Sequence, residues 1–188
     1  GELQVAGHQI ALSVTSILFM FPLSLAFCMT IRVGHAYGAK DLNAILLTRK
    51  VGLSLTTGFA FLSAGFIVLA RHQLTALYTN DLAVQALAAN LLLFAAAYQV
   101  VDALQVGAAG SLRGLQDTRG PMVLTMVAYW VVAMPLGYVM GLTLVMGTRY
   151  GPHGFWTGLV VGLAVASVLL NWRLGRQIAG LQEKGFPH

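Results

Sequence analysis

Charged residues are scarce in this chain of 188 residues: they make up 9% of it, whereas 57% is hydrophobic. A soluble domain usually carries about 25% charged residues, so this chain has too few to cover a globular surface. It has one cysteine, Cys28, which excludes an internal disulfide and which we predict to be a small core residue. The formal charge is +5, but the basic residues lie at the ends of apolar runs. That distribution argues against a nucleic-acid partner.

Long uncharged runs, each of about 20 residues or more, take up most of the chain and match the length of a membrane-spanning helix. Only Asp102 interrupts the run over 82–112. We therefore predict an all-α polytopic membrane protein in contact with the lipid bilayer. Its five transmembrane helices are predicted near 9–33, 48–70, 83–111, 121–147 and 152–175.

Local signals refine these helices. We predict a short interfacial turn over Leu42–Leu47 before the second helix, with Asp41 as a candidate N-cap. Pro121 suits the first turn of the fourth helix, where its missing N–H costs little. Pro22 and Pro135 lie within predicted helices and should kink them.

Two groups of small residues predict close helix packing. The segment AAGSLRG, from Ala108 to Gly114, should let the third helix approach a neighbour near one end. On the last helix, small residues recur every four positions on one face: Gly154, Gly158, Gly162 and Ala166.

The basic residues predict the orientation. Nine of them lie in the segments 32–50, 113–119 and 173–184, which share one side of the membrane, and only Arg71 and Arg149 lie on the other. By the positive-inside rule the nine face the cytoplasm, so the C-terminus is cytoplasmic and the N-terminus outside. Since the start of the chain has no cleavable signal, an outside N-terminus predicts that at least one further helix precedes it.

Asp102 is the candidate functional residue. An ionised carboxylate near the bilayer centre costs at least about 2.5–3.5 kcal/mol. Tyr98, Gln99 and Gln105 lie at helical spacing from it and share its face. This polar stripe predicts a site for Na⁺ or H⁺ coupling, with Asp102 as a candidate Na⁺ ligand. The alternative is a structural knot of hydrogen bonds between helices.

A second candidate surface lies on the fourth helix, where Met122, Met126 and Tyr129 form one stripe. Adaptable thioethers suit the binding of differently shaped substrates, although ordinary lipid-facing or core packing is the favoured explanation of such a stripe. None of the five histidines shows metal-ligand spacing, and no catalytic pairing of residues is evident. We therefore expect neither a cofactor nor an enzyme.

Three segments resemble the multidrug and toxic compound extrusion family, the MATE transporters of the NorM type. They are AGHQIALSVTSILFMFPLSLAFCMTIRVGHAYGAKD, YQVVDALQVGAAGSLRGLQDTRGPM and YWVVAMPLGYVMG, which are similar to the family's eighth, tenth and eleventh helices. The resemblance implies a fold of twelve helices in two lobes, in a bacterial inner membrane. It also implies export of cationic amphipathic compounds by alternating access, in exchange for Na⁺ or H⁺.

The resemblance matches Asp102 to the family's tenth-helix aspartate, which takes part in cation coupling. It implies that residues 1–188 form an incomplete C-terminal lobe, without the first lobe and the seventh helix. In the NorM type that helix brings a glutamate to the cation site. The missing N-terminal lobe is thus the expected partner.

Three other functions remain open. One is a flippase for lipid-linked precursors in the same superfamily, which is disfavoured because no basic residue lies within an apolar run. Another is a non-transporting membrane scaffold or assembly subunit. The third is an intramembrane enzyme, which is disfavoured because it would need a second catalytic group at the depth of Asp102 and the sequence offers none.

Overall fold

The computed structural model describes residues 2–142 and 152–186, and all regular structure in these residues is helical. The elements are α1 (Glu2–Gly38), α2 (Leu42–Tyr78), α3 (Leu82–Gly114), α4 (Arg119–Val127), a π-helical segment (Ala128–Ala133), α5 (Met134–Leu142) and α6 (Pro152–Lys184). The predicted all-α fold class is confirmed.

Five helices in the described residues are long and apolar enough to cross a membrane. The fourth of these spans, Arg119–Met140, combines α4, the π-helical segment and most of α5. The helices extend beyond the predicted bounds because those bounds follow the uncharged stretches, whereas helical hydrogen bonding continues into the charged flanks. Residues 143–147 of the predicted fourth helix lie outside the described residues.

The prediction for Leu42–Leu47 was wrong. These residues form the first turns of α2 rather than a separate interfacial turn. The reason is the cap at Asp41, whose Oδ1 accepts a hydrogen bond from the Ala44 N–H at 3.0 Å. A capped start lets the helix begin directly after the turn, and the predicted N-cap is thereby confirmed.

The turns after α1 and α3 are built alike. Lys40 (φ 55°) and Gln116 (φ 63°) adopt the left-handed conformation in these two turns. The aspartate that follows each, Asp41 or Asp117, donates its backbone N–H to the carbonyl five residues earlier. Each aspartate then accepts, through its side chain, a backbone N–H of the next helix. These bonds satisfy helix-end groups in turns of only a few residues.

Asp117 also ties its turn to α6. The Arg173 guanidinium donates a hydrogen bond to Asp117 Oδ2, and the Gln177 side-chain amide donates to the same oxygen at 3.3 Å. The guanidinium bond to the ionised carboxylate holds the pKa of Asp117 below its ordinary value. The loop before α4 is therefore fixed to the last helix.

The helix α3 lies at the centre of the bundle, packed against α1, α2 and α6. On the far side of α6, Gly158 and Gly162 face Ala133 and Gly137 so closely that an added Cβ would overlap their atoms. The close packing predicted from the small-residue face of the last helix is confirmed at these positions.

The fourth span is irregular just before Pro135. In the π-helical segment the Met134 N–H bonds to the Tyr129 carbonyl, five residues earlier. Proline has no N–H to continue the regular ladder, and a local widening of this kind is a recognised origin of helix bending. At Pro22, by contrast, α1 continues as a single helix.

Cys28 is exposed, so the prediction that it is a core residue was wrong. The nearby buried residues of α1 are Ala26, Met29 and Val33. In a membrane protein the outer surface is as apolar as the interior. A small apolar residue in a spanning helix therefore gives no indication of the side that it faces.

Candidate functional site

Asp102 lies in the middle turns of α3 and is 6% exposed. The helix is positioned by its capped start, where Asp81 accepts the N–H groups of Ala83 and Val84, and by its tight turn into α4. Within residues 2–142 and 152–186 no group donates a hydrogen bond to the Asp102 carboxylate. This observation argues against a structural knot of hydrogen bonds around Asp102.

The other predicted members of the polar stripe are close to Asp102. Gln99 and Gln105 are buried with it on α3, and Tyr98 is within electrostatic range of its carboxylate. Tyr129 is also within electrostatic range of Asp102, and its hydroxyl donates a hydrogen bond to Gln105 Oε1 at 3.4 Å. The structure thus joins Tyr129, which we predicted on the substrate surface, to the cluster around Asp102.

The side-chain amide of Gln99 is buried and unsatisfied. The residue is 1% exposed, and neither its Oε1 nor its Nε2 has a hydrogen-bond partner in the described part of the chain. A buried amide without a partner costs roughly 1–3 kcal/mol. Such an unsatisfied group, here one helical turn from a lone carboxylate, is rare in folded proteins.

The sequence did not reveal Trp156 of α6, which is fully buried next to Tyr98. Its ring contacts that of Tyr98 edge to face, with 6.0 Å between centroids. Its indole N–H donates to His8 Nδ1 at 3.1 Å. A buried tryptophan needs a hydrogen-bond acceptor for its N–H. The sequence around Trp156 does not show that this acceptor is a histidine 148 positions earlier.

Met122 and Met126 differ from this cluster because their side chains are exposed. Their side chains are 60% and 58% exposed, whereas Tyr129 is half-buried. No helix of the described chain covers the two methionines. Their role in substrate binding remains a prediction.

The oxygen atoms near Asp102 suit a hard monovalent cation or a proton. A carboxylate, tyrosine hydroxyls and amide oxygens are the ligand types that hard cations prefer. No group of three or more His, Cys, Asp or Glu residues that could hold a metal occurs among the residues that the structure describes. The cluster around Asp102 thus brings oxygen-bearing side chains together around one carboxylate, and a role in ion binding remains a prediction.

Replacing Gln99 by methionine in the full-length protein should raise its free energy of unfolding by about 1 kcal/mol, because the unsatisfied amide is removed at similar volume. Thermal unfolding of the purified protein measures the change. Gln85→Met on the same helix is the matched control: it loses the Gln85 hydrogen bond to the Thr79 carbonyl, at 2.8 Å, and should lower stability. Equal losses in both variants would contradict the assignment of Gln99 as unsatisfied.

Comparison with known proteins identifies relatives over most of the chain. The MatE family model matches residues 1–139. The chain is 53% identical, over 176 residues, to a probable multidrug resistance protein NorM of Acinetobacter baylyi. It is 48% identical, over 172 residues, to the multidrug resistance protein PmpM of Pseudomonas aeruginosa. These alignments cover 94% and 92% of this chain.

The fold is similar to that of solved transporters. The crystal structure of the eukaryotic MATE transporter AtDTX14 superposes with a TM-score of 0.85 at 20% identity, covering 98% of this chain and 41% of that one. The chain also spans only 38% and 36% of the two bacterial relatives. The described helices thus correspond to less than half of each of these proteins.

Proposed function

Because this chain belongs to the MatE family, we propose that it forms the C-terminal part of a cation-coupled multidrug exporter. The observation that carries the proposal is Asp102, a buried carboxylate on the central helix with no hydrogen-bond donor among the described residues. Transport, rather than catalysis, is the role that such a family implies.

The coupling role follows from the charge of Asp102. A carboxylate in a membrane is stabilised by a bound cation or neutralised by a proton. Na⁺ and H⁺ therefore compete for one group, and binding of either reduces the electrostatic cost of Asp102. Exchange of this ion can drive the change between inward-open and outward-open states, since a ligand shifts an equilibrium by its differential affinity for the two states.

The ion site is completed by other parts of the protein. Tyr98, Gln99 and Gln105 supply oxygen atoms beside Asp102, and the five spans contain no second acidic residue at this depth. Within the family resemblance, a glutamate on the seventh helix of the transporter provides the further carboxylate. The N-terminal lobe is thus the proposed partner of this chain.

Cationic amphipathic compounds are the proposed cargo. The two bacterial relatives are named multidrug resistance proteins. Met122 and Met126 offer adaptable apolar contacts, and Asp102 offers a negative charge that cargo and ion can use in turn. The proposed location is the bacterial inner membrane, with the nine clustered basic residues and the C-terminus on the cytoplasmic side.

Efflux from vesicles tests this function. The full-length protein, reconstituted into vesicles, should drive transport of a cationic dye when an opposing Na⁺ or H⁺ gradient is imposed. The two gradients are applied separately to identify the ion. Vesicles without a gradient are the control. A purified, folded protein that moves no dye under either gradient would contradict the proposal and favour a scaffold.

A further inference from the structure

A groove between α1 and α2 lies on the surface of the described part of the chain. It has a volume of about 470 Å³, within the range of roughly 300–1,000 Å³ typical of ligand pockets. Its walls are mainly apolar and include Leu25, Cys28, Met29, Val51 and Leu55. Val51 and Leu55 are about half exposed in the described part of the chain.

One end of this groove is polar. Arg32 and Thr48 line it there, and both also line an adjoining pocket of about 390 Å³ that contains His35. Arg32 is exposed and makes no hydrogen bond or ion pair with any residue that the structure describes. An unpaired guanidinium at the end of an apolar groove matches a phosphate attached to acyl chains.

The depth of Arg32 fits a lipid headgroup. The first span covers Gln4–Gly38, so Arg32 lies about 16 Å from its middle at 1.5 Å per residue. The apolar core of a bilayer extends roughly 15 Å from its centre. With the middle of this span placed at the bilayer centre, Arg32 lies at the level where the phosphates begin, and the apolar walls run inward from it.

The surrounding charge favours an anion. The segment from Arg32 to Lys50 carries four basic residues and one acidic residue, Asp41. Asp41 lines the adjoining pocket but not the groove, and its Oδ1 is engaged in capping α2. Basic pockets between helices at this level are suited to anionic headgroups.

We propose that the groove between α1 and α2 binds an anionic phospholipid, with its phosphate on Arg32 and Thr48 and an acyl chain along Val51 and Leu55. The site is separate from Asp102 and does not depend on the transport role. It gives this protein a defined lipid ligand in addition to the surrounding bilayer.

The test measures binding of phosphatidylglycerol to the full-length protein by native mass spectrometry, with phosphatidylcholine as the neutral reference. Arg32→Gln should weaken phosphatidylglycerol binding about fivefold, the effect of one basic residue near a membrane surface. Arg49→Gln is the matched control, because it removes the same charge from the same segment while its guanidinium reaches towards Gly175 on α6. Equal losses in both variants would indicate a diffuse field and overturn the site.

A second pair of variants tests the groove itself. Leu55→Trp fills it without changing charge and should also weaken binding, whereas Leu69→Trp, at an exposed position elsewhere on α2, should not. Unchanged binding in Leu55→Trp would overturn the proposal. Glycerol phosphate, which has the headgroup but no acyl chain, should not displace the lipid; displacement would show an anion site without a lipid groove.

Discussion

Asp102→Asn in the full-length transporter is expected to reduce ion-driven dye efflux to the rate of vesicles without protein. The substitution keeps the shape of the side chain but removes the negative charge that we propose binds Na⁺ or H⁺. Because the carboxylate accepts no hydrogen bond from the described residues, its loss breaks no such bond. The variant should fold and insert normally, and thermal unfolding in detergent checks this directly.

Asp81→Asn provides the control for that experiment. It makes the same chemical change on the same helix, at the exposed N-cap of α3. Since asparagine caps helices about as well as aspartate, both stability and transport should be retained. Full efflux by folded Asp102→Asn protein would remove Asp102 from the coupling mechanism, whatever the family membership.

Among the glycines where α1 meets α3, Gly110 should tolerate an added methyl group least. Gly110→Ala should therefore destabilise the protein more than the same substitution at the others. A Cβ at this position would lie 2.5 Å from the carbonyl oxygen of Ala26, which is backbone and cannot rotate away. The helices must separate, which also strains the hydrogen bond from Thr30 Oγ1 to the Gly110 carbonyl at 2.9 Å. We expect a loss of about 1–3 kcal/mol, the usual cost of overpacking.

The midpoint of thermal unfolding measures this loss. Gly65→Ala on α2 is the control, because an added Cβ there meets no atom within 4 Å. It should be neutral or stabilise by up to about 1 kcal/mol, since alanine favours a helix over glycine. If both variants unfold at the same temperature, the close crossing of α1 and α3 at Gly110 is not a feature of the folded protein.

Much of the fold could be predicted because it depends on length and charge. The five spans, the cap at Asp41 and the close packing of the glycine face of α6 all followed from local patterns, and all are confirmed. The wrong prediction at Leu42–Leu47 also came from reliance on the pattern of charged and apolar residues. A polar segment between two apolar runs does not by itself show where the second helix begins.

The candidate site could be predicted only along α3. Helical spacing placed Gln99, Asp102 and Gln105 together, and the structure buries all three. Tyr129 and Trp156 could not be added from the sequence, because each belongs to another helix. Their proximity depends on how the helices cross, and the functional roles of all these residues remain predictions.

The sequence by itself determined that this is a membrane protein, that five helices of the described residues are long and apolar enough to span, and that one carboxylate, Asp102, lies well within a span. Only the tertiary structure decided which side of each helix is covered. In that structure Cys28 is exposed, and the Gln99 amide has no hydrogen-bond partner among the described residues. The physical reason is that lipid is as apolar as a protein core. Hydrophobicity therefore fixes the number of spans, whereas close packing of small residues and hydrogen bonds between helices fix their faces.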